Sequence, residues 1–171
     1  MGVVAKAYGN CDHAYVVWQV DQRIDGCRGF ALYRRSQTDS QPQILPTWVG
    51  FQGDAAPLGT MTPSTQWPVQ KFMWSDYLVQ SNETVQYQVV PMVGTKEQMQ
   101  PDADLVSAWT DPITISASAG DGTSAYFNRG IVASQWLSRA LGAPTPADEQ
   151  TSLKTIMSDV NDKTRQFMAG E

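Results

Sequence analysis

From Val3 to Ala117 the sequence breaks into short runs of β-forming residues parted by turn residues, with no helical period between them. "VVAKAY" (Val3–Tyr8) is the first run. "AYVVWQVD" (Ala14–Asp21) is the second, with Val16, Trp18 and Val20 on one face and Tyr15, Val17 and Gln19 on the other. "GFALYRR" (Gly29–Arg35) follows a polar turn, and "ILPTWVGF" is broken by Pro46, as suits a sheet edge. Residues 52–68 form a long Gly-, Pro- and Thr-rich loop. "VQKFMWSDY" (Val69–Tyr77), "TVQYQVVPMVG" (Thr84–Gly94) and "LVSAWTDPITISA" (Leu105–Ala117) complete the series. Parallel strands need helical or similarly long crossovers, and none is visible. About seven runs in some 115 residues therefore predict an antiparallel β-sandwich over residues 1–120.

Beyond Gly120 the period changes. At 100° per residue, Val132, Ala133, Trp136, Leu137, Ala140 and Leu141 fall on one wide arc, and Gly142 stands where a helix ends. "TPAD" then opens a second helix, with Thr145 as N-cap, Pro146 in the first turn and Asp148 three residues after the cap. Leu153, Ile156, Met157, Val160, Phe167 and Met168 keep helical spacing. The expected architecture is thus mainly β, a sandwich followed by two C-terminal α-helices, with residues 121–171 as a helical extension. These helices either form a hairpin packed on the sandwich or present an apolar face to a partner, a second copy included.

Charge and motifs narrow the function. Net charge is −5, from 12 Lys and Arg against 17 Asp and Glu. Such a surface repels phosphate backbones, so nucleic-acid binding by this segment is not expected. No run of about 18 apolar residues is present, so no membrane span is expected. Two cysteines, Cys11 and Cys27, make no disulfide framework. With no basic, apolar leader at the N-terminus, they suggest a cytoplasmic setting. His13 is the single histidine. No G-x-S-x-G elbow, Walker loop or G-x-G-x-x-G stretch occurs, and no His/Cys/carboxylate spacing suits a metal. No catalytic residue, metal or cofactor is assigned. "AGDGTS" (Ala119–Ser124) lacks the alternating carboxylates of a calcium loop and reads as a turn.

The strand spacing resembles that of a fibronectin type III domain, an immunoglobulin-like sandwich. Trp18 in "AYVVWQVD" stands where that family buries a Trp between its sheets, and Tyr87 in "TVQYQVVPMVG" where it carries a corner tyrosine. The long 52–68 loop and the aromatic "KFMWSDY" depart from that pattern. "WPVQKFMWSD", "YQVVPMVG" and above all "AYFNRGIVASQWLSRAL" further resemble the N-terminal region of bacterial phospholipase D-like proteins. In those proteins a fibronectin type III-like domain precedes catalytic halves carrying paired H-x-K-x(4)-D motifs.

That resemblance implies a non-catalytic accessory module working with phospholipase D-like domains in cis, or with a protein partner. The alternative is a stand-alone interaction module that docks through its C-terminal helices. Candidate contacts are Met61 and Trp67 in the long loop, as exposed anchors or as a cap on the sandwich end. Tyr126, Phe127 and Arg129 either clamp the junction to the helices or pack ordinarily, and Trp136 on the apolar arc is counted with them.

Overall fold

The computed structural model describes residues 2–37, 39, 41–54 and 60–124. The chain divides into two compact units, Met1–Thr123 and Ser124–Glu171, and the described residues fall almost wholly in the first. Its strands are β1 (Val3–Gly9), β2 (Ala14–Val20), β3 (Cys27–Ser36), β4 (Gln43–Ile44), β5 (Pro46–Thr47) and β6 (Thr62–Pro63). They continue with β7 (Met73–Asp76), β8 (Thr84–Thr95), β9 (Gln98–Pro101), β10 (Ile113–Thr114), β11 (Ser118–Gly120) and β12 (Thr123–Ser124).

Two antiparallel sheets carry the unit. One has the order β1-β2-β7, the other β10-β8-β3-β4 with β9 also on β8. Each turns an alternating apolar face inward. Ala14, Val16 and Trp18 of β2 are buried while Tyr15 and Val17 between them are only half-buried, and Val85, Tyr87 and Val89 do the same on β8. Val3, Val16, Trp18 and Trp74 from the first sheet join Phe30, Leu32, Tyr87 and Val89 from the second in one cluster. Trp18 packs edge-on against Phe30, with ring centres 5.5 Å apart. Each fully buried aliphatic such as Leu32 or Val89 contributes about 1.5–3 kcal/mol over its exposed state. The outer face of β3 and β8 is covered as well: Ala31, Val90 and Met92 are buried with Tyr33, Met99 and Val106 against them. Burial on both faces explains why β8 runs apolar from Val89 to Met92 instead of alternating.

Three sequence expectations change. "ILPTWVGF" is two fragments: β4 pairs β3, and β5 beyond Leu45 pairs β6. The split falls at Leu45, whose N–H donates to Leu32 and whose carbonyl accepts from Ser64. The run Leu105–Ala117 keeps strand form only at Ile113–Thr114, because before Pro112 hydroxyls stand in for the carbonyls as acceptors, while Ser107 and Thr110 N–H still donate to the Val89 and Tyr87 carbonyls. Val89 N–H donates to Ser107 Oγ (2.9 Å) and Tyr87 N–H to Thr110 Oγ1 (3.0 Å). The hairpin strand β9 comes from residues that read only as polar.

The fold class itself is corrected. A mainly β sandwich is present, but no helix occurs among the described residues, so the architecture stated for this chain does not include two C-terminal helices. Residues 121–124, assigned to the helical extension, belong to the β11–β12 hairpin. Asp121 and Gly122 both have positive φ, 48° and 73°. That is the two-residue turn that Asp-Gly favours, and it is incompatible with a helix start. The stretch 128–168 on which the helices were placed lies outside the described residues.

Candidate binding cleft

One edge of the sandwich is closed by the segment Val69–Phe72. Val69 exchanges two backbone hydrogen bonds with Phe30 of β3, at 2.9 and 3.0 Å, and Phe72 accepts one from Trp18 N–H of β2 at 3.0 Å. The segment therefore ties the second sheet to the first. Its close approach needs a glycine. Gly29 has φ 142°, and a side chain there would put Cβ 2.8 Å from the Val69 carbonyl oxygen. A register shift between Cys27 and Gly29 marks the same point as a bulge, which bends the start of β3.

The space between this bend, the Gln22–Gly26 turn and residues 70–72 is a cleft of about 660 Å³. Val20, Ile24, Phe30 and Phe72 supply its apolar surface. Phe72 is 53% exposed and its ring lies 5.5 Å from that of Phe30. Arg23, Arg28 and Lys71 supply its charge, and no carboxylate lines it. Arg28 Nε donates to the Gly94 carbonyl at 2.7 Å, which holds its stem against the β8–β9 turn. The ion pairs His13–Asp12, Arg34–Asp76 and Lys96–Asp54 involve none of the three cleft cations. In a chain with five net negative charges, this is a local reversal of sign.

A second polar cluster lies in the interior. Arg34 Nη1 donates to Asp76 Oδ2 at 2.9 Å, and Tyr87 Oη donates to the same oxygen at 3.0 Å. Arg34 Nη2 also donates to Gln43 Oε1 at 3.0 Å, and Asp76 Oδ1 accepts from Leu78 N–H at 2.9 Å. Burial opposes the Arg34 cation, but the combined pull of Asp76, Tyr87 and Glu83 outweighs it and raises the pKa above its usual value. Burial, and then the Asp76 charge, push the Tyr87 phenol far up. With every charge paired and the side chains of Arg34 and Asp76 only 9% and 2% exposed, this cluster joins the sheets and leaves no acceptor open to a substrate. Tyr87 therefore bonds a carboxylate of the opposite sheet and not nearby backbone, as a corner tyrosine would.

His13 Nδ1 pairs with Asp12 Oδ1 at 2.9 Å and its ring stacks on Tyr77. Among the described residues, no three His, Cys, Asp or Glu side chains come together as metal ligands.

Met61 stands 40% exposed in its loop. Trp67 is half-buried beside Gly50, and its carbonyl accepts from Thr47 Oγ1 at 2.6 Å. Neither lines the cleft. Tyr126, Phe127, Arg129 and Trp136 lie outside the described residues. Sequence reasoning puts Phe72 on one strand face with Trp74, whereas Phe72 stands exposed before β7 and Trp74 is buried; it assigns no role to Arg23, Arg28 or Lys71. The one local signal was the exposed pair Lys71-Phe72 beside a strand.

No protein-family model matches the chain, and no curated protein matches it. Among solved structures, one described as a myokine structure aligns over 67% of this chain and 93% of its own, at 9% identity and a TM-score of 0.38. A β-1,2-glucanase from Parabacteroides distasonis aligns over 82% of this chain and 14% of its own, at 13% identity and a TM-score of 0.36. Likenesses of that size carry no argument about this chain.

Proposed function

We propose that this chain is a non-catalytic accessory module of a phospholipase D-like phosphodiesterase. It positions the catalytic domains or holds a partner or substrate for them. The observation that supports this reading is the order of parts: a β-sandwich followed in sequence by "AYFNRGIVASQWLSRAL", the stretch that most resembles those proteins. The histidine of this sequence, His13, is followed by Ala14 and Tyr15, so it begins no H-x-K-x(4)-D motif. On this reading the nucleophile and its acid partner belong to the catalytic halves, and the sandwich contributes binding surface.

The test begins with the DNA on the 3′ side of the Glu171 codon and with the neighbouring genes. Two H-x-K-x(4)-D motifs are expected, in the same frame or in a neighbouring product that co-purifies with this chain. A genome offering neither would overturn the reading. So would hydrolysis of bis(p-nitrophenyl) phosphate by the 171-residue chain alone.

A further inference from the structure

We propose that the cleft at the Val69–Phe72 edge binds a phosphate-bearing ligand with an apolar body. The inference goes beyond the accessory role, because it rests on the sandwich alone and needs no catalytic domain.

Three observations carry it. The first is charge. Arg23, Arg28 and Lys71 converge on one cleft that no carboxylate lines, on a chain where acidic residues outnumber basic ones 17 to 12. Asp21 and Asp25 flank Arg23 in its turn, but neither lines the cleft. The three cations that do line it repel one another there, and a bound anion relieves that repulsion. Three cations favour a group carrying more than one negative charge, which selects a phosphate monoester over a simple carboxylate. Two of the three are guanidinium groups, whose planar forks match phosphate oxygens.

The second is the surface between the cations. Ile24, Phe30 and Phe72 give the cleft an apolar floor, and Phe72 leaves half of its surface in water. An exposed Phe at the mouth of a cleft is poorly used by the fold, and a flat or aliphatic ligand body covers it. The third is size and rigidity. A volume near 660 Å³ lies within the range of small-molecule sites. The walls are set by the Gly29 bulge, the two Val69–Phe30 hydrogen bonds and the Arg28–Gly94 bond, so little backbone ordering is left for binding to do.

Such a phosphate comes either from a soluble phosphate ester or from a lipid headgroup, and titration separates the two. The full chain is titrated calorimetrically with phenyl phosphate, inorganic phosphate and phenol, and by sedimentation with phosphatidylcholine vesicles with and without phosphatidic acid. Phenyl phosphate is expected to bind at least about tenfold more tightly than inorganic phosphate, and phenol not measurably. Retention on phosphatidic acid vesicles identifies the lipid source; binding of the soluble ester alone identifies the other.

Arg23→Gln combined with Lys71→Gln is expected to weaken binding by about tenfold or more. Both side chains are exposed, and an unchanged circular dichroism melt verifies the fold. No binding of phenyl phosphate or of phosphatidic acid vesicles at up to about 10 mM ligand would overturn the proposal. Equal affinity for phenol, or a double variant that binds like the native chain, would do so as well. A null titration leaves the accessory role intact, since catalytic domains take no part in it.

Discussion

Two regions of this sandwich hold positive charge beside aromatic rings, one cation in the interior and three at an edge, and they treat it in opposite ways. In the interior, Arg34 is paired with Asp76, which also takes the hydrogen of Tyr87, and both charges are removed from water. At the Val69–Phe72 edge, Arg23, Arg28 and Lys71 stand in water around a cleft that no carboxylate lines. Burial makes a lone charge too costly to keep, so an interior cation must bring its partner. Solvent imposes no such demand, so the edge keeps its charge unspent. The interior cluster serves the fold, while the edge is available to a ligand.

The largest effect that could break this contrast comes from Asp76→Ala. It leaves the Arg34 guanidinium buried without its counter-charge, and a loss of about 3–5 kcal/mol is expected in urea unfolding. A loss below about 1 kcal/mol would show that water reaches the pair and that the two regions are alike.

Tyr87→Phe comes next. Losing the phenol–carboxylate bond is expected to cost about 1.5–3 kcal/mol at neutral pH, the range for hydrogen bonds to charged groups. The variant also alters the alkaline behaviour. The folded-state pKa of Tyr87 is raised, so its contribution is fully present below the unfolded value near 10 and is lost as pH rises past it. Above that point the unfolded chain has released the proton that the folded chain keeps. Native stability should therefore fall by about 1.4 kcal/mol more per pH unit than that of the variant. Parallel pH profiles for the two proteins would count against a buried neutral phenol.

The smallest effect sharpens the contrast from the other side. Arg23→Gln with Lys71→Gln should leave the unfolding free energy within about 0.5 kcal/mol of the native value, since both are exposed and unpaired. A large loss in the same urea titration would mean that the edge cations, too, belong to the fold.

The sandwich core was legible because period-2 alternation survives wherever one face meets water. Val16 and Trp18 on β2 and Val85, Tyr87 and Val89 on β8 were readable as one-sided strands and are buried as such. The Asp121-Gly122 turn was legible from its residue types, although the helical extension drawn from residue 121 was not its continuation. β9 escaped notice because Gln98–Pro101 offers one half-buried apolar side chain, Met99, and owes its strand form to pairing with β8. The last expected strand shrank because Ser107 and Thr110 accept the β8 N–H groups with hydroxyls in place of carbonyls, which hydrophobic pattern does not record.

By itself, then, the sequence determined an antiparallel sandwich with Trp18 inside, since short-range alternation and turn chemistry are properties of neighbouring residues. Only the tertiary structure decided which charges are spent and which are free. Asp76 meets Arg34 across 42 positions of chain, and Lys71 meets Arg23 and Arg28 only after Val69 docks on Phe30. Charge pairing depends on distance in space, and no local pattern encodes that.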